Sequence, residues 1–209
     1  MEIYFAPLEG ITGYTYRNAH KKYYEGIDKY FMPFISANHT LNFQTKEKKD
    51  FSPENNVDIN IVPQILTNKA EYFVWSVREL KKLGYDEINL NLGCPASTVV
   101  SKRKGSGFLA FTKELDEFFY ETFDALANDD VKISVKTRLG KKDILEMDEI
   151  MDIYNKYPLY ELIIHPRIQK EMYSGEVHME EFKRAYRKAK FPVCYNGDIC
   201  SIDDFLYVL

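Results

Sequence analysis

Short apolar runs recur along the chain, most of them closing on polar residues: IYFAP at 3–7, YFMPFIS at 30–36, INIVPQIL at 59–66, EINLNL at 87–92, KISVKT at 132–137, ELIIH at 161–165 and FPVCYN at 191–196. Their length and their β-branched and aromatic content predict seven buried strands. Between them the apolar positions take helical spacing. The clearest case is NKAEYFVWSVRELKKLG at 68–84, where Asn68 is expected to cap the start and Gly84 to end the helix. Further helices are expected after Thr112, over 143–156, over 178–190 and in the closing SIDDFLYVL, where Ser201 and Asp204 have capping-box spacing.

Strand alternating with helix at about 30 residues per unit implies a parallel sheet with right-handed crossovers, either a closed barrel or an open doubly wound sheet. No G-x-G-x-x-G follows the first strand, which lowers the dinucleotide-fold reading. Polar residues stand at the carboxyl ends of nearly every strand: Gln64, Asn89 and Asn91, Lys136 and Arg138, His165 and Arg167, Asn196 and Asp198. In a β/α barrel those ends converge on one mouth. The expected fold is therefore α/β, a TIM-type barrel, with residues 1–209 forming one domain. Seven strands are one short of eight, so the barrel is expected to be truncated after about seven β/α units.

Composition narrows the classes. A hydrophobic content of 45 % with only 8 Pro and 10 Gly argues for a folded chain rather than disorder. A formal charge of -4 excludes a uniformly basic nucleic-acid binder and leaves room for a local basic surface. Cys94, Cys194 and Cys200 are odd in number and lack paired ligand spacing, so neither a disulfide framework nor a metal site is expected. No basic segment leads into an apolar one at the amino terminus, and no apolar run approaches the length of a membrane span; a cytoplasmic protein without membrane attachment is expected.

Several strand ends carry candidate chemistry. Cys94, between Gly93 and Pro95 just past a strand, could serve as acid, base or nucleophile; an inert buried thiol is the commoner fate of a lone cysteine. Lys136 and Arg138 fall two apart and so share one face, suited to something anionic or electron-rich. His165 could donate to a ligand oxygen, carry a proton or be structural. Asn196 and Gly197 precede a helix in a position where barrels often hold phosphate, although a simple turn explains them too. SKRKGSG at 101–107 sets Lys102, Arg103 and Lys104 beside a Gly-Ser-Gly expected to be flexible, either a clamp on RNA phosphates or a solvated basic loop.

Together these stretches are more specific than any one of them. APLEGIT, PQI at 63–65, NLNLGCPA at 89–96, GSG at 105–107, VKTRLG at 135–140, IHPR at 164–167, MYSG at 172–175 and NGDI at 196–199 occur in the order found in the tRNA-dihydrouridine synthases. The chain resembles that family over essentially its whole length. The resemblance implies FMN at the barrel mouth and reduction of uracil within tRNA, with NADPH recharging the flavin. Hydride would pass from flavin N5 to uracil C6, and Cys94, matching the family's catalytic cysteine, would protonate C5. By the same matching Ala6, Pro7, Leu8, Gln64, Lys136 and His165 would meet the flavin, and Asn196, Gly197 and Asp198 would lie near its phosphate. Asn91 and Arg138 would hold the base, with Lys102, Arg103 and Lys104 toward the RNA.

Three departures from the family pattern stand out. Pro166 occupies a position where glycine is common, removing an N–H. Leu8 replaces a common methionine. The family's eighth strand and its carboxyl-terminal helical tRNA-binding domain are expected to be missing. Two other readings stay open from the sequence: a dihydroorotate dehydrogenase-like enzyme acting on a free pyrimidine, and a non-catalytic fragment.

Overall fold

The computed structural model describes residues 1–208; Leu209, the last residue of the expected domain and terminal helix, lies outside the described residues. The strands are β1 (Tyr4–Phe5), β2 (Lys29–Phe31), β3 (Ile35–Ser36), β4 (Ile61–Val62), β5 (Gln64–Leu66), β6 (Glu87–Leu92), β7 (Lys132–Gly140), β8 (Glu161–Ile168) and β9 (Val193–Tyr195). Every pairing is parallel, in the orders β1-β2-β4 and β3-β5-β6-β7-β8-β9. Each of the seven expected strands is present, two of them split. Pro63 divides the third, since it has no N–H to give the ladder, while its carbonyl still accepts from Asn89 N at 2.8 Å. Met32, Pro33 and Phe34 divide the second.

With these splits bridged, the strands follow sequence order as in a β/α barrel, and among the described residues no pairing joins β9 back to β1. Alternate residues separate into two environments. Leu162 and Ile164 of β8 join Ile88, Leu90, Ile133 and Val135 in one large core against helix residues such as Phe73, Leu80, Leu115, Phe119 and Ile150. Ile163, between them, packs with Phe31 and Val62, and with Tyr4 and Cys194, on the opposite face of the sheet. Each large apolar side chain so buried contributes roughly 1.5–3 kcal/mol, so the helix-covered face dominates the stability.

The helix over 68–84 begins one residue later than its polar start suggests. It spans Ala70–Lys82, with Lys69 at the N-cap. Thr67 Oγ1 accepts from Lys69 N at 3.2 Å, and Asn68 instead reaches Lys102 O at 3.3 Å. Gly84 ends the helix as expected, in the left-handed region at φ 94°. Thr112–Ala125, Glu146–Tyr154 and Met179–Lys188 fill the other expected positions, and Ile202–Val208 carries the Ser201–Asp204 cap, Asp204 N lying 3.1 Å from Ser201 Oγ.

Candidate functional site

The loop after β6 is built from one asparagine. Asn91 Oδ1 accepts from Gly93 N at 3.0 Å and from Cys94 N at 2.9 Å. Backbone amides only donate, so this oxygen is assigned and Asn91 Nδ2 faces Gln64 Oε1, at 2.7 Å. The same logic propagates: Gln64 Nε2 donates to Asn89 Oδ1 at 2.8 Å, and Asn89 Nδ2 to Ser134 Oγ at 2.9 Å. All four side chains belong to buried residues. Asn91, matched by resemblance to the base, thus has its carbonyl and its amide nitrogen engaged by protein.

From the other side, Ser106 N and Oγ donate to Cys94 O at 3.1 and 2.9 Å. Gly105, Ser106 and Gly107 are buried in the 3-10 helix Gly105–Ala110, which corrects the expectation of a flexible Gly-Ser-Gly. These glycines serve close approach: a Cβ on Gly105, itself at φ +55°, would lie 2.7 Å from Cys94 O. Of the three basic residues beside them, Lys102 is exposed. Arg103 pairs with Glu114 at 3.2 Å and lies 4.3 Å from the Phe111 ring. Lys104 is half-buried and donates to Ala37 O at 3.3 Å.

Burial pushes the Cys94 thiol above the usual range, outweighing a backbone hydrogen bond from Ala96 and the charge of Arg138. It is therefore a protonated thiol at neutral pH. Cys194 is pushed further by burial, to about 12.

On β7, Lys136 and Arg138 share a face as their spacing implies. Burial, then the charge of Arg138, brings Lys136 down to about 8. Among the described residues it forms no ion pair. Arg138, 1 % exposed, donates from Nε to Gly93 O at 3.0 Å and from Nη1 to Ile168 O at 3.1 Å, and its guanidinium lies 5.3 Å from the centre of the Tyr173 ring.

Across the ladder Arg138 pairs with His165, and the next pair is Gly140 with Ile168, so Leu139 faces two residues, Pro166 and Arg167. This bulge accommodates Pro166: the missing N–H falls where the ladder is already interrupted. It also turns Arg167 into the protein, where Asp198 receives both its terminal nitrogens, Oδ1 at 2.8 Å and Oδ2 at 2.5 Å. Gly197 packs on His165, with a notional Cβ 3.3 Å from the imidazole. Asn196 N extends the β9 ladder to Ile164 O at 2.9 Å.

The first loop leaves Ala6 and Leu8 exposed and Pro7 half-buried. It is fastened by a residue with no motif to announce it, Arg17, fully buried and bonded to Thr12 O at 2.9 Å, Asp50 Oδ2 at 3.2 Å and Asn56 Oδ1 at 2.9 Å. Ser134 likewise gains its site position only through the fold, and Ser106, Tyr173 and Arg167, which lie in stretches the sequence singles out, gain their partners there. A cleft of about 850 Å³ runs along the seam between β1 and β9, with Ala6, Pro7, Lys136, Asn196, Gly197 and Asp198 among its walls. Leu8, Gln64, Cys94 and His165 are not among them. Lys136 belongs to this cleft and also acts electrostatically on Cys94 and His165. The arrangement sets a protonated thiol and a half-buried cation, without an ion-pair partner among the described residues, at adjacent strand ends. It suits an electron-rich ring that receives a proton.

The family model described as Dihydrouridine synthase (Dus) matches residues 4–209. The tRNA-dihydrouridine synthase B of Pasteurella multocida is 27 % identical over 208 residues, covering 99 % of this chain and 61 % of the relative. A probable tRNA-dihydrouridine synthase of Aquifex aeolicus is 28 % identical over 205 residues, covering 97 % of this chain and 63 % of that one. Among solved structures, PhdJ bound to substrate intermediate aligns with a TM-score of 0.48 at 10 % identity, over 95 % of this chain and 64 % of that chain. The chain thus spans somewhat over three fifths of the length of these curated relatives.

Proposed function

This chain belongs to the dihydrouridine synthase family, and on that premise we propose that it is the flavin-binding barrel of an enzyme that reduces the C5=C6 bond of uridines in tRNA. The observation that carries the reading is Cys94, a protonated thiol held from both sides at the end of β6, with Lys136 and Arg138 on the neighbouring strand. A reduced flavin, when bound, supplies the hydride. The chain's own residues do the rest.

The fit of such a cofactor rests on two observations. Lys136 is a half-buried ammonium without a carboxylate partner among the described residues, its charged form disfavoured by desolvation. An electron-rich ring with anionic character would relieve that. Beside it, His165 Nδ1 has no protein partner among the described residues and is available to a ligand. Lys136, His165 and Gln64 are the residues that would hold the ring, with Ala6, Pro7 and Leu8 of the first loop alongside. Backbone at Asn196 and Gly197 would meet the FMN phosphate. Asp198 would stay with Arg167, so that its carboxylate is neutralised there rather than set against the phosphate.

Arg138, its orientation fixed by Gly93 O and Ile168 O, would hold a uracil carbonyl while Cys94 gives its proton to C5. Hydride arriving at C6 leaves electron density that this proton quenches, so a thiol protonated at rest is the required form. Asn91 would act chiefly on Cys94, through the two backbone N–H groups it accepts. Lys102, with Arg103 and Lys104 behind it, would face the RNA, and NADPH would restore the reduced cofactor.

The test is to add FMN to the chain, record the visible spectrum of the protein fraction after gel filtration, and measure dihydrouridine formed in unmodified tRNA with NADPH. Stoichiometric flavin with tRNA reduction is expected. Retained flavin with activity only on free dihydroorotate would replace this reading with that of a pyrimidine dehydrogenase.

A further inference from the structure

Arg167 is 1 % exposed and sits between His165 and Asp198. Its four terminal N–H groups are all accounted for: Nη1 faces Asp198 Oδ1 at 2.8 Å and His165 Nε2 at 3.1 Å, and Nη2 faces Asp198 Oδ2 and Gly175 O, each at 2.5 Å. A guanidinium only donates hydrogen bonds and keeps its charge throughout the accessible pH range. The imidazole nitrogen facing it must therefore be the bare one.

We infer that Arg167 is a positioning residue that, braced by Asp198, locks His165 as the neutral tautomer with its proton on Nδ1. His165 then offers any ligand in the mouth an N–H donor that carries no charge. Lys136 and Arg138 on β7 and Arg167 on β8 each disfavour an imidazolium, Asp198 after β9 favours it, and Tyr173 lies 6.1 Å away, ring centre to ring centre. Burial is the largest of these influences, and His165 is brought down to about 3.

The consequence divides the labour at the mouth. A histidine that does not charge near neutral pH is not a source of protons, since a neutral imidazole N–H is far too weak an acid, so His165 donates a hydrogen bond and not a proton. Gly197 lies beside the ring, where a notional Cβ would stand 3.3 Å from Cδ2 and 3.6 Å from Nε2, so a larger residue there would press on the imidazole. The lock stands on protein geometry alone; only the identity of the acceptor that meets Nδ1 rests on the flavin reading above.

Imidazole nitrogen NMR on the chain without flavin tests the lock, the His165 signals being assigned by their loss in His165→Gln. A pyrrole-type Nδ1 and a pyridine-type Nε2 are expected, unchanged between about pH 8 and about pH 5, where an ordinary histidine with a pKa near 6.5 titrates. Arg167→Met is expected to give mixed tautomers and a midpoint moved up toward the ordinary range, and Arg167→Lys, which still donates, to keep the parent pattern. A protonated Nε2 in the parent, a parent midpoint near the ordinary value, or an unchanged spectrum in Arg167→Met would overturn the inference. Should Arg167→Met not fold, the parent tautomer and titration decide alone. Adding FMN afterwards is expected to shift the Nδ1 proton; an unmoved signal would count against the flavin contact and leave the lock standing.

Discussion

Asn91 Oδ1 stands 2.9 Å from the backbone nitrogen of Cys94, and this single oxygen also receives Gly93 N. Replacing Asn91 with alanine strands two backbone donors and the Gln64 carbonyl, and an unmet buried polar group costs about 1–3 kcal/mol. Asn91→Ala is expected to lower the urea midpoint by an amount in that range and to speed iodoacetamide labelling of Cys94. Asn91→Asp keeps the acceptor but loses the donor to Gln64, so it should hold the loop better than alanine. Equal labelling of Cys94 in all three proteins would remove the positioning role.

The pH behaviour of Cys94 follows from the sign of its shift. Burial raises the thiol, so less thiolate is present at neutral pH than in an unperturbed cysteine, and labelling should begin to rise only at a pH above the ordinary thiol range. Peptide mass spectrometry after timed alkylation reads this directly. With flavin and tRNA present, Cys94→Ala is expected to cut dihydrouridine formation by roughly 10²–10⁴-fold, the usual worth of a placed general acid, while leaving the flavin spectrum intact.

The strand pattern can be read in the sequence. The period-two alternation that runs through KISVKT into Arg138 puts Lys136 and Arg138 on one face of β7. What could not be read was where side chains are consumed. Asn91, Lys104 and Asp198 each carried a chemically sensible ligand role, yet the fold gives them to Gln64 and Cys94, to Ala37 and to Arg167. Gly-Ser-Gly looked flexible because glycine has two uses, freedom and proximity, and only the neighbour at 2.7 Å tells them apart. Arg17 and Arg167 were invisible as positioning residues because their partners are remote in sequence, at separations of 33 and 31.

Gly105 offers a test of proximity. It has a positive φ and no room for a methyl group against the Cys94 carbonyl and Val99, so Gly105→Ala must move the loop. A loss of roughly 1–3 kcal/mol is expected from backbone strain of this kind, with Cys94 labelling altered in the same variant. Gly175, also at positive φ but with nothing within 4 Å of a notional Cβ, is the control: Gly175→Ala should be milder and leave Cys94 unchanged.

For RNA, the three basic residues of 102–104 should not contribute equally. Arg103 is already neutralised by Glu114 and Lys104 is engaged with Ala37, which leaves Lys102 the most available. Lys102→Ala is expected to weaken tRNA binding and to reduce the slope of log affinity against log salt by about one. Arg103→Ala should do less, and Glu114→Ala, which frees Arg103, should strengthen binding at low salt. Filter binding across a salt series measures all three.

Lys136 sets stability against function. Its pKa is about 8 in the folded chain against 10.5 for an unperturbed lysine, so between those values the unfolded chain holds a proton that the folded one has lost. Stability therefore rises with pH across that window, and below it the folded protein carries a penalty of ~3 kcal/mol. Lys136→Met removes the charge and is expected to raise the urea midpoint at pH 7, by an amount that shrinks as pH climbs through the window. The same variant should lose affinity for reduced flavin. If an anionic ligand is what this half-buried ammonium awaits, saturating ligand should also lift the Lys136 pKa and flatten the pH dependence of the parent. A midpoint that falls in Lys136→Met at pH 7 would show the ammonium to be compensated within the protein, and would take away the main physical support for a cofactor beside it.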